Sequence, residues 1–521
     1  MGIRARSVHP PLVLNHRCCD IVPSGRPDVG DATDTAEKPV TRRTSKGMGQ
    51  EIDRTQFAER DCLRFLQYLE QETASFSKLL QQGGVSSAGP VAGCELEGWL
   101  VRPDMSPAPI NEDFLNRFED PASSAELARF NVEFNTPALP LRGSVLAELH
   151  GVLDSVLERA RAAAESLGVE LLLIGILPTL QDSQLNLANL SNLNRYRALN
   201  EQIVAARQGQ PIRLNICGHQ HLESVHDDVM LEAATTSFQI HWQIPAEHSL
   251  RYYNAALIAS APAVAVSANS PFLFGFDLWA ETRIPLFEQA IPVGGYRGAA
   301  HGPLHRVSFG TGWARQSIAE VFEENLQHFP VLLPILFATD PAQFSHLRLH
   351  NGTIWRWNRP LVGFDSDGTP HVRLEHRTIP AGPTVVDMVA NAAFFYGLVE
   401  SLIEEVEPPT LGFAEAKDNF YLAARHGLSA TLIWGGEHRP LASLIARQLM
   451  PRARCGLEKL AISTADIDHY LGIIEARVVS GRTGSEWQRN FIARHPGEFR
   501  AMTREYLNNQ LGGQPVHEWD P

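Results

Sequence analysis

Gly93–Leu100 reads GCELEGWL, and its alternation decides the fold. Successive side chains of an extended chain face opposite ways. Cys94, Leu96 and Leu100 therefore form an apolar back, while Glu95, Glu97 and Trp99 form a front. Three further stretches repeat the pattern. In Phe130–Thr136 (FNVEFNT), Phe130, Val132 and Phe134 oppose Asn131, Glu133 and Asn135. In Ser237–Ile244 (SFQIHWQI), Phe238, Ile240, Trp242 and Ile244 oppose Gln239, His241 and Gln243. In His371–Thr378 (HVRLEHRT), Val372 and Leu374 oppose Arg373, Glu375 and Arg377. Each segment predicts a strand with a greasy side and a reactive side.

The chemistry of these fronts is specific in combination. Glu95 and Glu97 share a strand face, and two such carboxylates repel unless a cation or solvent separates them. An edge strand with a wet face would meet that need, but Trp99 and the apolar flanks favour a cleft. Hard oxygen ligands suit Mg²⁺ or Mn²⁺ better than zinc. Glu126 precedes Glu133 by seven residues, and alone would read as part of a surface turn. Gln239 and His241 share a face; a lone histidine there is more often a hydrogen-bonded core residue, and the Gln239 amide oxygen suits Mg²⁺ better than imidazole does. Arg373, Glu375 and Arg377 alternate in charge. On a surface they would merely screen one another; in a cleft the arginines can clamp phosphates while Glu375 takes a metal. Arg359, in NRP, is near enough in sequence to come from a neighbouring strand, and Arg283, in WAETRIPLF, is a further phosphate or carboxylate candidate. Four like faces are not four independent coincidences. Brought together on one sheet they would make a polynucleate metal site of the kind that Mg–ATP chemistry requires. Serine-nucleophile, P-loop and dinucleotide fingerprints are absent.

Bulk properties set the frame. The 521-residue chain has 44% hydrophobic and 20% charged residues, as in an ordinary globular protein. A net charge of −14 without a dense Lys/Arg stripe argues against general nucleic-acid binding. Six cysteines without a CxxC pair predict a reducing, cytoplasmic setting. No uninterrupted apolar run reaches the ~20 residues of a membrane span; Ala255–Val266, broken by Ser260 and Pro262, is the longest candidate.

Residues 1–50 read as a disordered tail, 51–406 as the catalytic α+β domain, and 407–521 as a helical part packed on it. Apolar periodicity predicts helices over Thr55–Leu80, from an N-cap at Ser144 to about Ser166, over His248–Ser267 and over Val385–Val406. Val169–Leu177 reads as a buried strand, Gln181–Gly209 as a loop and helix, AARHGLSATLIW as helical, and Ser480–Gln488 as a loop. The fold class is α+β: a large, curved, mostly antiparallel sheet covered by helices.

At this point the chain resembles glutamate–cysteine ligase family 2, the carboxylate–amine ligases of the glutamine synthetase superfamily. CELEGW is similar to the family's opening strand, ELARFNVEFNT to its second carboxylate strand, and QIHWQ to the superfamily's HVH-type strand. SANSPFLFG resembles its NSPF turn, LEHRTIPAGPT its closing Glu-x-Arg strand, and NFYLAARHGL and RTGSEWQ its C-terminal elements. The resemblance runs from about Gly93 to Arg489. It implies a funnel with nucleotide entering one end and amino acid the other. It further implies one Mg²⁺ on Glu97, Glu126 and Glu133, and another on Glu95, Gln239 and Glu375 bridging ATP phosphates. Arg377, with Arg359, would act on the transferring γ-phosphoryl group. His241, Arg373 and Arg377 would lie at the nucleotide, and Arg195, Tyr196 and Arg197 would grip the amino-acid end. Two departures stand out: Gln239 occupies a position where many relatives have His, and no glycine precedes this strand. The implied reaction joins glutamate to an amine such as cysteine through an acyl phosphate. A guanidino kinase of the same superfamily and a nucleotide-binding pseudoenzyme are the alternatives.

Overall fold

A computed structural model of the protein describes residues 51–293, 304–406 and 411–520. The tail expected over residues 1–50 lies outside them. The centre is an eight-stranded sheet: β1 (Val91–Val101), β2 (Ser123–Ala125), β3 (Asn131–Asn135), β4 (Leu139–Pro140), β5 (Glu170–Leu172), β6 (Phe238–Ile244), β7 (Asn358–Phe364) and β8 (Pro370–His376). The order is β7-β8-β6-β1-β3-β2, with β4 and β5 also pairing with β1, and every pairing is antiparallel. The four alternating segments are thus β1, β3, β6 and β8, and they lie side by side. The sheet curls into a half-barrel covered by helices.

The greasy backs explain the cover. Leu96, Phe238, Ile240, Trp242, Val372 and Leu374 are all buried. They face the helices Ser249–Ser267 and Val385–Leu402, where Trp242 meets Tyr252 and Tyr396 edge-on and His376 stacks on Phe395. Burying each such side chain contributes roughly 1.5–3 kcal/mol. Val385–Leu402 is long and apolar enough to cross a membrane by length and composition, but 89% of it is buried inside the protein, as befits a core helix. Met450–Lys459 crosses this helix at two glycines, Gly397 and Gly456.

Several elements depart from expectation, each for a physical reason. Ser144 sits at the N-cap of Val145–Ser166 but makes no capping bond. Asp466 does so instead, accepting from the N–H groups of Leu146 and Ala147 at 3.0 and 3.2 Å. Only Glu170–Leu172 of the expected strand Val169–Leu177 pairs in the sheet, because Leu173 N–H turns to Gln510 Oε1. In TLIWGGEHRP the chain forms a hairpin of Thr431–Trp434 with Glu437–Pro440 rather than a helix. Gly435 and Gly436, both at positive φ, supply its tight turn. The expected loop Ser480–Gln488 contains the start of helix Gly484–Arg494, whose N-cap is Thr483.

Candidate active site

Cross-strand partners in an antiparallel sheet share a face, so register alone assembles the site. Glu95 lies opposite Gln239, Glu97 opposite Glu133, and Glu375 opposite both His241 on β6 and Arg359 on β7. The reactive fronts converge on the concave side of the sheet.

At its centre Arg359 donates to Glu375 in a two-pronged bond, Nε to Oε2 at 2.7 Å and Nη2 to Oε1 at 3.0 Å. Arg377 Nη1 donates to the same carboxylate at 3.1 Å and to Gln239 Oε1. Burial alone would raise the pKa of Glu375; Arg359, Arg377 and His241 outweigh it and hold the carboxyl well below its usual range. Glu375 is therefore an anion at any working pH. His241 Nε2 stands 3.1 Å from Glu95 Oε1 and 3.7 Å from Glu375 Oε1 without a directed hydrogen bond. One donor atom from each of Glu95, His241 and Glu375 lies within 4.8 Å of the others.

A second acidic group adjoins the first. Glu97 accepts from Ser237 N–H at 2.7 Å, Ser237 Oγ at 3.0 Å and Gln239 Nε2 at 2.8 Å. Burial raises its pKa against the pull of Arg377 and Arg283. Glu126 and Glu133 face each other; burial, then their mutual repulsion and that of Glu97, push Glu126 well above the usual range. Burial and Glu95 push Glu133 to about 7, although Asn135 Nδ2 donates to it at 2.6 Å. Burial and mutual repulsion thus disfavour the charged form of each carboxyl, a cost that positive charge brought among them would relieve. A buried set of crowded carboxyl oxygens, beside an imidazole whose ring nitrogens make no hydrogen bond among the described residues, fits divalent cations.

The remaining candidates are spread around this core. Arg373 lies beside Glu95 and Glu375 and lines a cavity of about 130 Å³ with Gly93, Asn135, Thr136, Gln243 and His371. Arg195 Nη2 donates to Tyr196 Oη at 2.8 Å and to Ala125 O at 3.1 Å, its guanidinium 4.6 Å from the Tyr196 ring centre. Both lie in the field of Glu126 and Glu133. Arg197, exposed on the helix Asn194–Ala206 that also carries Arg195 and Tyr196, instead donates to Asn192. Arg283 is buried behind the site and donates to the backbone carbonyls of Arg377 and Thr378.

Sequence reasoning missed Glu232. It stands in the 3₁₀ turn Val229–Ala234, just before β6, and burial and Glu97 push its pKa to about 8 against the pull of Arg377. Neighbouring residues in LEAATTSF follow no strand or helix period, so no local signal marks it.

The profile of glutamate–cysteine ligase family 2 matches residues 92–511, most of the chain and all of this site. The chain belongs to that family. Its structure is similar to glutamate–cysteine ligase from Francisella tularensis, solved in complex with AMP, at 11% identity and a TM-score of 0.50 over 84% of this chain and 90% of that one. It is also similar to a bifunctional glutathione synthetase from Pasteurella multocida, at 12% identity and a TM-score of 0.46 over 85% of this chain and 55% of that one. At such identities the likeness concerns the fold alone. No curated protein sequence matches the chain. As a member of glutamate–cysteine ligase family 2 the protein is a ligase, of the ATP-dependent carboxylate–amine class.

Proposed function

We propose that this ligase joins the γ-carboxylate of glutamate to an amine, cysteine being the first to test, through an acyl phosphate formed from ATP. One observation carries the reading: Glu95, Glu97, Glu126, Glu133 and Glu375 share a concave face with Arg359, Arg373 and Arg377. Carboxylates alone would repel both ATP and glutamate, and arginines alone would bind phosphate without holding metal. The combination suits a polyphosphate handled as its magnesium complex.

A carboxylate does not acylate an amine, because its leaving group would be oxide. A glutamate γ-carboxylate oxygen attacks the γ-phosphorus of ATP, the bond to the bridging oxygen breaks, and ADP leaves. The amine then attacks the acyl carbon, phosphate departs, and the ammonium proton is lost to give the amide. Arg377, held toward the face by Gln239 and Glu375, is suited to the equatorial oxygens of the transferring phosphoryl group. Arg359 fixes the orientation of Glu375, and Arg373 and His241 suit the rest of the polyphosphate. Bound Mg²⁺ or Mn²⁺ would supply charge neutralisation, with Glu97, Glu126 and Glu133 as one ligand set and Glu95, Glu375 and Gln239 or His241 as the other. Arg195 and Tyr196 suit the amino-acid end. Four cysteines among the described residues are free thiols, in keeping with a reducing cytoplasm.

The test is ADP release with Mg–ATP, glutamate and a panel of amines that includes cysteine. ADP and phosphate formed only when both glutamate and an amine are present support the reading. A phosphorylated acceptor without free phosphate would identify a kinase instead, and no ADP with any acceptor would identify a binding protein.

A further inference from the structure

Two motifs of the chain have no part in the reaction just described, the SANSPF turn (residues 267–272) and RTGSEWQ (residues 482–488). They meet at Asn269. Gln488 Nε2 donates to Asn269 O at 3.1 Å and to its Oδ1 at 3.0 Å. Gly484 lies so close that an added Cβ would stand 2.1 Å from that Oδ1. From this turn Asn269 N–H and Ser270 Oγ donate to Glu281 at 2.8 and 2.5 Å. Glu281 in turn accepts from Arg283 Nη1 at 3.4 Å. Arg283 spends its remaining reach on two neighbouring carbonyls, Thr378 O through Nη1 and Arg377 O through Nη2, both at 3.0 Å. Asn269, Ser270, Glu281, Arg283 and Gln488 are each at most 3% exposed.

A buried ion pair is a poor source of stability, since apolar residues of equal volume often serve as well. Its value here is geometric. The backbone that Arg283 holds is the one from which Arg377 reaches Gln239 and Glu375. We infer that Arg283 is a positioning residue for Arg377, itself held by Glu281 and, through Asn269, by Gln488 of the helix Gly484–Arg494. The helix that carries Gln488 thereby supports the position of Arg377 from a distance. The inference rests on the ligase reading for its kinetic readout alone.

Arg283→Lys tests it, because one ammonium cannot hold both carbonyls and Glu281 in the same fork. A displacement of about 1 Å at a reacting group costs on the order of 100-fold. The expected result is a loss of kcat approaching that figure, with the KM values for ATP and glutamate unchanged within about threefold. In an Arg377→Lys background the same substitution should add nothing. Gln488→Met, remote from substrate, should lower kcat in the same sense and carries the test if Arg283→Lys does not fold. A rise in KM at constant kcat, or losses that add in the double variant, would overturn the inference. A crystal structure of either variant separates the two readings. Arg377 displaced from Gln239 and Glu375 upholds the positioning role even if the wild type releases no ADP, an outcome that sinks only the ligase reading. Arg377 unmoved overturns the positioning role.

Discussion

Arg359 and Glu375 meet through two parallel hydrogen bonds, at 2.7 and 3.0 Å, in a buried part of the concave face. Such a pair fixes the plane of the carboxylate, so that Glu375 is presented to the site in one orientation.

Replacing Glu375 therefore has two separable effects. Glu375→Gln keeps volume and part of the hydrogen bonding, and should lower turnover by at least about 100-fold with the fold retained. Glu375→Ala also leaves Arg359 and Arg377 without their anion, and should cost about 3–5 kcal/mol of stability. ADP-release rates and urea unfolding of the two variants check this. Near-normal turnover of Glu375→Gln would remove Glu375 from the ligand set.

Glu133 offers a test that does not depend on knowing the substrates. Like charge and burial make it unfavourable in the metal-free protein. Glu133→Gln should raise the melting temperature measured in EDTA, yet abolish the gain that Mg²⁺ or Mn²⁺ gives the wild type. Saturation at 100 times Kd is worth about 2.7 kcal/mol. A metal-dependent gain that persists in the variant would exclude Glu133 as a ligand.

Acid should destabilise the protein through His350. Burial, then Arg306, lowers its pKa to about 4, while its Nε2–H donates to Asn325 O at 3.0 Å. The folded state keeps this imidazole neutral, whereas the unfolded chain takes up a proton below pH 6.5. Stability is full above that value and is lost as pH falls from 6.5 toward 4, by about 2 kcal/mol at pH 5. Urea unfolding at pH 7.5 and 5 should show a smaller drop for His350→Gln than for the wild type. Equal drops would assign the effect elsewhere.

The crossing of Val385–Leu402 with Met450–Lys459 should tolerate no side chain. A Cβ at Gly456 would stand 1.9 Å from Gly397 O, and one at Gly397 would stand 2.1 Å from Ala453 O. Neither obstacle is a flexible side chain, so the helices must move apart. Gly456→Ala should cost about 3 kcal/mol, at the upper end of overpacking penalties. A melting temperature equal to the wild type's would refute the close packing.

Much of this was legible because strand periodicity is local. Alternation in GCELEGWL, FNVEFNT, SFQIHWQI and HVRLEHRT depends only on neighbours, and it singled out Glu95, Glu97, Glu133, Gln239, His241, Arg373, Glu375 and Arg377 before any strand was paired. Where a residue acts through a distant partner, nothing nearby records it. Asp466 caps a helix 320 positions away, Gln488 holds Asn269 across 219, and Glu232 joins the acidic group from an aperiodic turn. The Asn269 turn and the last helices resembled family elements, but their contacts were invisible.

By itself, then, the sequence determined which side chains within each strand share a face, because side-chain direction follows from the extended backbone at once. Tertiary structure decided which of them touch. Register set Glu375 between Arg359 and His241, gave the Gln239 oxygen to Arg377, and left Arg197 exposed on the helix that carries Arg195. Pairings between strands are chosen by the packing of the whole sheet against its helices, and no single segment carries that information.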